Sequence, residues 1–137
     1  MARTASAGPS TRPKEPALNE PIGRSTAATR LLCADAAALD LPEDALDPTT
    51  VLAGAPQASF LALGERQGSE IGVWELTEGE VADVEADEVF VVLSGRGSVE
   101  FEDGSALALG PGTVVRLHAG DRTLWRVTQA LRKVYVA

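Results

Sequence analysis

Between Glu75 and Glu88 the chain places seven carboxylates, Glu75, Glu78, Glu80, Asp83, Glu85, Asp87 and Glu88, with no basic residue among them. Two kinds of chemistry suit such a run. Hard divalent ions such as Mg, Mn or Ca take oxygen ligands, so convergent carboxylates can hold one. A solvated hairpin face is the plainer use, and it also discourages edge-to-edge strand pairing. If the stretch is extended, Asp83, Glu85 and Asp87 share one face and Glu88 takes the other. The remaining reactive side chains are sparse: one His and one Cys in 137 residues. His118 has only Asp121 close by, and reads as an exposed turn residue. Cys33 lies in an Ala-rich stretch with no motif around it, and reads as a small apolar residue. Those two counts exclude an internal disulfide, a zinc finger and a multi-His metal site. No phosphate loop is present, because Gly95-Arg96-Gly97 reads as a hairpin turn with no helix after it.

The elements around these residues read as short strands: 50–53, 59–64, 70–77, 81–84, 89–94, 98–102, 105–109, 113–117, 122–128 and 132–136. Most are rich in Val, Leu, Phe, Trp or Thr and bounded by Gly, Pro, Asp or Ser. Asp103-Gly104 is a tight-hairpin signal of type I′. Leu41-Pro42-Glu43-Asp44 reads as a turn, and residues 34–39 as a short helix or a loop. No ten-residue helical period separates the strands, which predicts an antiparallel sandwich or barrel.

Charge divides the chain. Residues 1–30 carry five basic and two acidic side chains, and residues 31–137 carry seven and eighteen, for a total of -8. The first segment holds four of the eight prolines and few large apolar residues, too little to offset its ordering entropy. Residues 1–27 therefore read as a disordered tail, 28–48 as an extension and 49–137 as the folded domain. The acidic balance argues against a nucleic-acid partner. The chain has no run of 18 apolar residues to span a membrane, and no export signal, which points to the cytoplasm.

Two stretches carry a resemblance. Glu88, six residues and Gly95 look like the end of the first signature motif of the cupin superfamily. Gly112, five residues, His118, Ala119 and Gly120 look like the opening of the second, with His118 where Pro is usual. Val73-Trp74-Glu75-Leu76, Leu124-Trp125-Arg126-Val127 and 132–136 are similar to the small single-domain branch that contains (S)-ureidoglycine aminohydrolase and the ethanolamine-utilisation cupin. The resemblance implies an all-β fold: a single double-stranded β-helix, or jelly-roll barrel, over 49–137. It also implies a homodimer through sheet contacts.

The usual cupin ligand set is three His and one Glu. Here the paired-His positions fall on Ala82 and Val84 (or Val81 and Asp83), the third on Thr123, and Glu88 alone matches. The resemblance thus implies an inward Glu88 and a barrel without the His-based metal site. No cofactor is expected, with a divalent ion held by carboxylates as the alternative. Glu88 is the candidate catalytic carboxylate; the other reading is a core Glu paired with Arg116, Arg126 or Lys133. The period of two puts Thr123, Trp125 and Val127 on one face, and Lys133 and Tyr135 together on the last strand. Trp74, Phe90, Thr123, Trp125, Lys133 and Tyr135 are the candidate pocket-lining residues, although Lys133 also reads as a surface charge. Three functions follow as expectations: a binding module for a small metabolite, a hydrolase resembling (S)-ureidoglycine aminohydrolase acting on a small nitrogenous metabolite, or a sensor or partner-binding subunit.

Overall fold

The computed structural model describes residues 26–137. After a single turn of helix, α1 (Ala27–Arg30), the chain is built from strands: β1 (Glu43–Asp44), β2 (Val51–Gly54), β3 (Ala58–Arg66), β4 (Ser69–Leu76), β5 (Gly79–Val84), β6 (Glu88–Phe101), β7 (Ala106–Leu109), β8 (Val114–Leu117) and β9 (Arg122–Val136). Every pairing is antiparallel. One path runs β1-β3-β4-β9-β5-β2, and β6 joins it through β9 while also pairing β7 and β8. The fold is the all-β jelly roll. Most of the predicted tail lies outside the described residues.

The two long strands close the barrel. The first half of β9 pairs β5 on one side and the end of β6 on the other. Its second half pairs β4 and the start of β6. Alternation then sorts side chains to the two faces. On β9, Thr123, Trp125, Val127, Leu131, Lys133 and Tyr135 are buried; on β6, Glu88, Phe90, Vals 92 and 99 are. Burial passes from even to odd positions along β6, which requires a break in register. The break is a run of bulges between Val92 and Gly97. Gly95 lies there at φ +95°, and a Cβ on it would collide with the Ala130 carbonyl. Gly95-Arg96-Gly97 is thus a bulge inside one strand and not the hairpin turn that the sequence predicts.

Two other local expectations change. Glu43-Asp44 pairs Ala58-Ser59 as β1, where the sequence reads as a turn. The β6–β7 hairpin exists, but four residues, 102–105, separate its strands, and Gly104 is the one among them at positive φ, +86°. That is a one-glycine turn rather than type I′, since Asp103 keeps a negative φ. Asp103 Oδ1 accepts from the Ser105 N–H at 2.8 Å and so fixes the loop.

The segment before β1 crosses the outer face of the sheet. Arg132, even-numbered and hence outward on β9, donates to the carbonyls of Ala36 and Leu39 at 3.0 and 2.7 Å. Its Nε lies 3.4 Å from Glu75 Oε1 on the neighbouring strand. Leu32 lies where a Cβ on Gly64 would touch it.

Candidate functional site

Register brings the candidate residues together. Trp74 on β4 pairs Lys133 on β9, which pairs Val92 on β6. Val81 and Val99 flank Trp125 in the same way, and Glu88 pairs Leu117. Because paired residues project to the same side, Trp74, Lys133, Phe90, Trp125 and Glu88 all enter the barrel. None is more than 2% exposed.

What they enclose is the Lys133 ammonium. Its Nζ lies 2.7 Å from Glu88 Oε2, with both side chains wholly inaccessible. The centroids of Phe90, Trp74 and Trp125 lie 4.3, 4.5 and 4.9 Å from the same nitrogen. Burying one charge alone would cost several kcal/mol, so a lone Lys or Glu would not persist here in charged form. The pair persists because each ion replaces part of the other's lost hydration, and because three ring faces carry negative potential toward the ammonium. The rings also brace each other: Trp125 sits 5.7 Å from both Trp74 and Phe90, tilted in each case. Glu88 Oε1 is buried and has no hydrogen-bond partner among the described residues. The reading of Lys133 as a surface charge is corrected, since its partners hold it inside. Of the three basic residues weighed as partners for Glu88, the structure selects Lys133. Arg116 pairs Asp87 at 3.5 Å, and Arg126 pairs Glu80 and Glu100.

A polar path leads from this centre to the rim. Glu85 Oε1 accepts from the Thr123 hydroxyl at 2.6 Å and from the Trp125 indole N–H at 2.9 Å. Glu85 is 3% exposed. The sequence places Asp83, Glu85 and Asp87 together on an outward face, and both Glu85 and Asp83, which pairs the inward Thr123, overturn this. Val81 and Asp83 pair the inward Trp125 and Thr123, so the odd positions of β5 face the interior, and Glu85 follows on the same side just past the strand end at Val84. Asp87 stays outside, where it accepts from the Ala119 N–H at 3.0 Å. Asp83 is half-buried with one carboxylate oxygen unpartnered among the described residues, and burial, helped by the charge of Glu85, pushes its pKa up to about 7. The neighbouring carboxylates that sequence could not separate thus have three different environments.

At the rim lies a pocket of about 550 Å³. Two cross-strand rows form it: Asp83–Thr123–Phe101 and Ala82–Leu124–Glu100. Val84, Arg122, Glu102 and Thr50 complete the wall. Of the seven candidate residues, Thr123 lines this pocket, and Glu88 borders a smaller one of about 260 Å³ with Arg116 and Val136. Trp74, Phe90, Trp125 and Lys133 form the central box. Tyr135 is buried beside Gly72, and its hydroxyl donates to Glu70 Oε2 at 2.7 Å. Sequence reasoning missed Arg122, Asp83 and Phe101 as rim residues. A ligand position adjacent in register to Thr123 was the available signal.

The residues do not fit the metal ion of a cupin barrel. Of the paired-His positions, Ala82, Val84 and Val81 have no ligating atom and Asp83 alone has one, while Thr123 donates to Glu85 and the inner oxygen of Glu88 is taken by an ammonium ion. Among the described residues no three His, Cys, Asp or Glu side chains come together as a metal-holding group. The acidic run is dispersed instead over separate partners: Arg132 for Glu75, Arg126 for Glu80, Arg116 for Asp87 and Lys133 for Glu88. His118 is exposed in a turn, its N–H donating to Asp121 Oδ2. Among the described residues no helix is long and apolar enough to cross a membrane.

Comparison with known proteins agrees with this architecture. A family profile described as the EutQ-like cupin domain matches residues 63–135. Among solved structures, a protein of unknown function in the DUF861 family from Pseudomonas syringae is similar at 29% identity and TM-score 0.66, over 74% of this chain and 45% of that one. A protein of unknown function from Rhizobium leguminosarum is similar at 27% and 0.53, over 58% and 78%. A putative ethanolamine utilization protein Q from Salmonella typhimurium shares the fold at 21% and 0.52, over 59% and 68%. The chain thus spans less than half the length of the first of these. None of the curated proteins matches the chain.

Proposed function

The chain belongs to the family of EutQ-like cupin domains, and from that premise we propose that it is a binding module for a small polar metabolite, taken at the barrel rim. One observation carries the reading: the 550 Å³ pocket at the ends of β5, β6 and β9. Its volume falls within the range of small-molecule sites. Ala82, Val84, Phe101 and Leu124 supply apolar area, while Asp83, Arg122 and Thr123 supply polar groups of both charge types. The central box supports the same placement, because Trp74, Phe90, Trp125 and Glu88 already surround Lys133.

Thermal-shift screening of a metabolite library tests the proposal, with an Ala82→Trp variant to fill the pocket. A binder should raise the melting temperature of the wild type by mass action and leave the variant unmoved. A ligand that shifts both equally would place binding elsewhere.

We also propose a homodimer through the outer face of β8, β6 and β9. Val114, Val89 and Val136 are 66%, 40% and 42% exposed there, and Val91 and Val134 lie in the same register rows. An apolar sheet face of this kind is a common site of association.

A further inference from the structure

A lysine is a poor choice for filling the centre of a barrel. Its ammonium must be desolvated, and Leu or Met would fill comparable space without that cost. Here four groups around Nζ are suited to a cation: the Glu88 carboxylate at 2.7 Å and the faces of Phe90, Trp74 and Trp125 at 4.3, 4.5 and 4.9 Å. A carboxylate ringed by three aromatic faces is a receptor for an ammonium ion. The residues come from three strands, β4, β6 and β9, so register and not local sequence assembles the box. Glu88 is also the one position that matches a cupin metal ligand, and its inner oxygen accepts a hydrogen bond from Lys133 Nζ.

We infer that the barrel centre is an ammonium-binding box, kept filled by the chain's own Lys133, and that this tethered cation replaces the metal ion a cupin barrel holds against Glu88. The ligand class of the box is a primary alkylammonium. Shortening the tether should expose that specificity. In Lys133→Ala the lost atoms are Cγ, Cδ, Cε and Nζ, which are those of n-propylammonium.

The test is the melting temperature of Lys133→Ala with n-propylammonium chloride, beside n-propanol and potassium chloride. The variant should melt below the wild type. n-Propylammonium should restore much of the loss in a saturable way, and the two controls should not. In Glu88→Gln/Lys133→Ala the ammonium effect should vanish. Equal rescue by n-propanol would mean a hole that only needs filling, and would overturn the inference. So would equal rescue of the double variant. If Lys133→Ala does not fold, the wild type decides. Its Lys133 ammonium should give a nitrogen–proton NMR correlation shielded from solvent exchange. That signal should be missing from Glu88→Gln/Lys133→Met, which leaves no unpaired charge and should fold. A folded wild type with no such signal overturns the inference. One equivalent of transition metal in the purified wild type, lost on Glu88→Gln, overturns the replacement.

Discussion

Asp83 titrates out of its ordinary range because it is half-buried beside Glu85, and the sign of the effect is fixed by linkage. Its pKa rises from 3.8 to about 7. Between those values the folded chain holds a proton that the unfolded chain has released. Stability from this group is full below the unfolded pKa and is lost as pH rises through about 7. The melting temperature should therefore fall across that window, and Asp83→Asn should flatten the slope and raise stability most on the alkaline side. A series of melts from about pH 4.5 to 8.5 measures it; an unchanged slope in the variant would show that Asp83 is not the group. Glu85 has a different task. It accepts from Thr123 and Trp125, so Thr123→Val removes one donor from a buried carboxylate. The loss should be about 1–3 kcal/mol in chemical denaturation.

At the scale of elements, the bulge in β6 carries the geometry. It moves the buried set from Glu88, Phe90 and Val92 to Val99, so that both halves of one strand face the same interior. Gly95 permits this at φ +95°, pressed against the Ala130 carbonyl. Gly95→Ala should cost at least about 2 kcal/mol, from strain and collision together, read as a lower denaturation midpoint. The segment before β1 is held in part by one side chain. Arg132 caps the Ala36 and Leu39 carbonyls from the outer face, so Arg132→Ala should release 31–40. Hydrogen exchange there should speed up while the β4–β9 ladder stays protected; equal speeding in both would mean that the barrel itself was loosened.

For the whole molecule, the test is association. Val114 on β8 and Val89 on β6 project from the same outer face. If that face joins two copies, Val114→Arg should give a monomer in analytical ultracentrifugation at unchanged melting temperature for the dissociated chain, because the residue is 66% exposed and packs little within its own barrel. A wild type that sediments as a monomer at all concentrations would refute the dimer.

Most strand segments, the hairpin at Asp103-Gly104 and the inward faces of β9 were legible in the sequence, because alternation and turn residues are local properties, although 89–94 with 98–102 and 122–128 with 132–136 are each one continuous strand. The motif-like spacing of Glu88 with Gly95 carried the fold, and it carried Glu88 to the interior. What lay beyond reach was set by distance along the chain. Lys133 reads as surface or pocket until β4, β6 and β9 place three rings and a carboxylate around it, 45 residues from Glu88. Glu85 reads as outward because the period is counted back from Glu88 without a break, whereas the phase changes across 85–87 and Glu85 keeps the inward side of Val81 and Asp83, beneath Thr123 and Trp125. Gly95-Arg96-Gly97 is the same case: glycine marks a departure from regular strand, but bulge and turn differ only in whether β9 continues alongside. Local chemistry determined which segments form strands and which faces are apolar. Tertiary structure decided which charges are buried together, because desolvation and pairing depend on neighbours that sequence order does not supply.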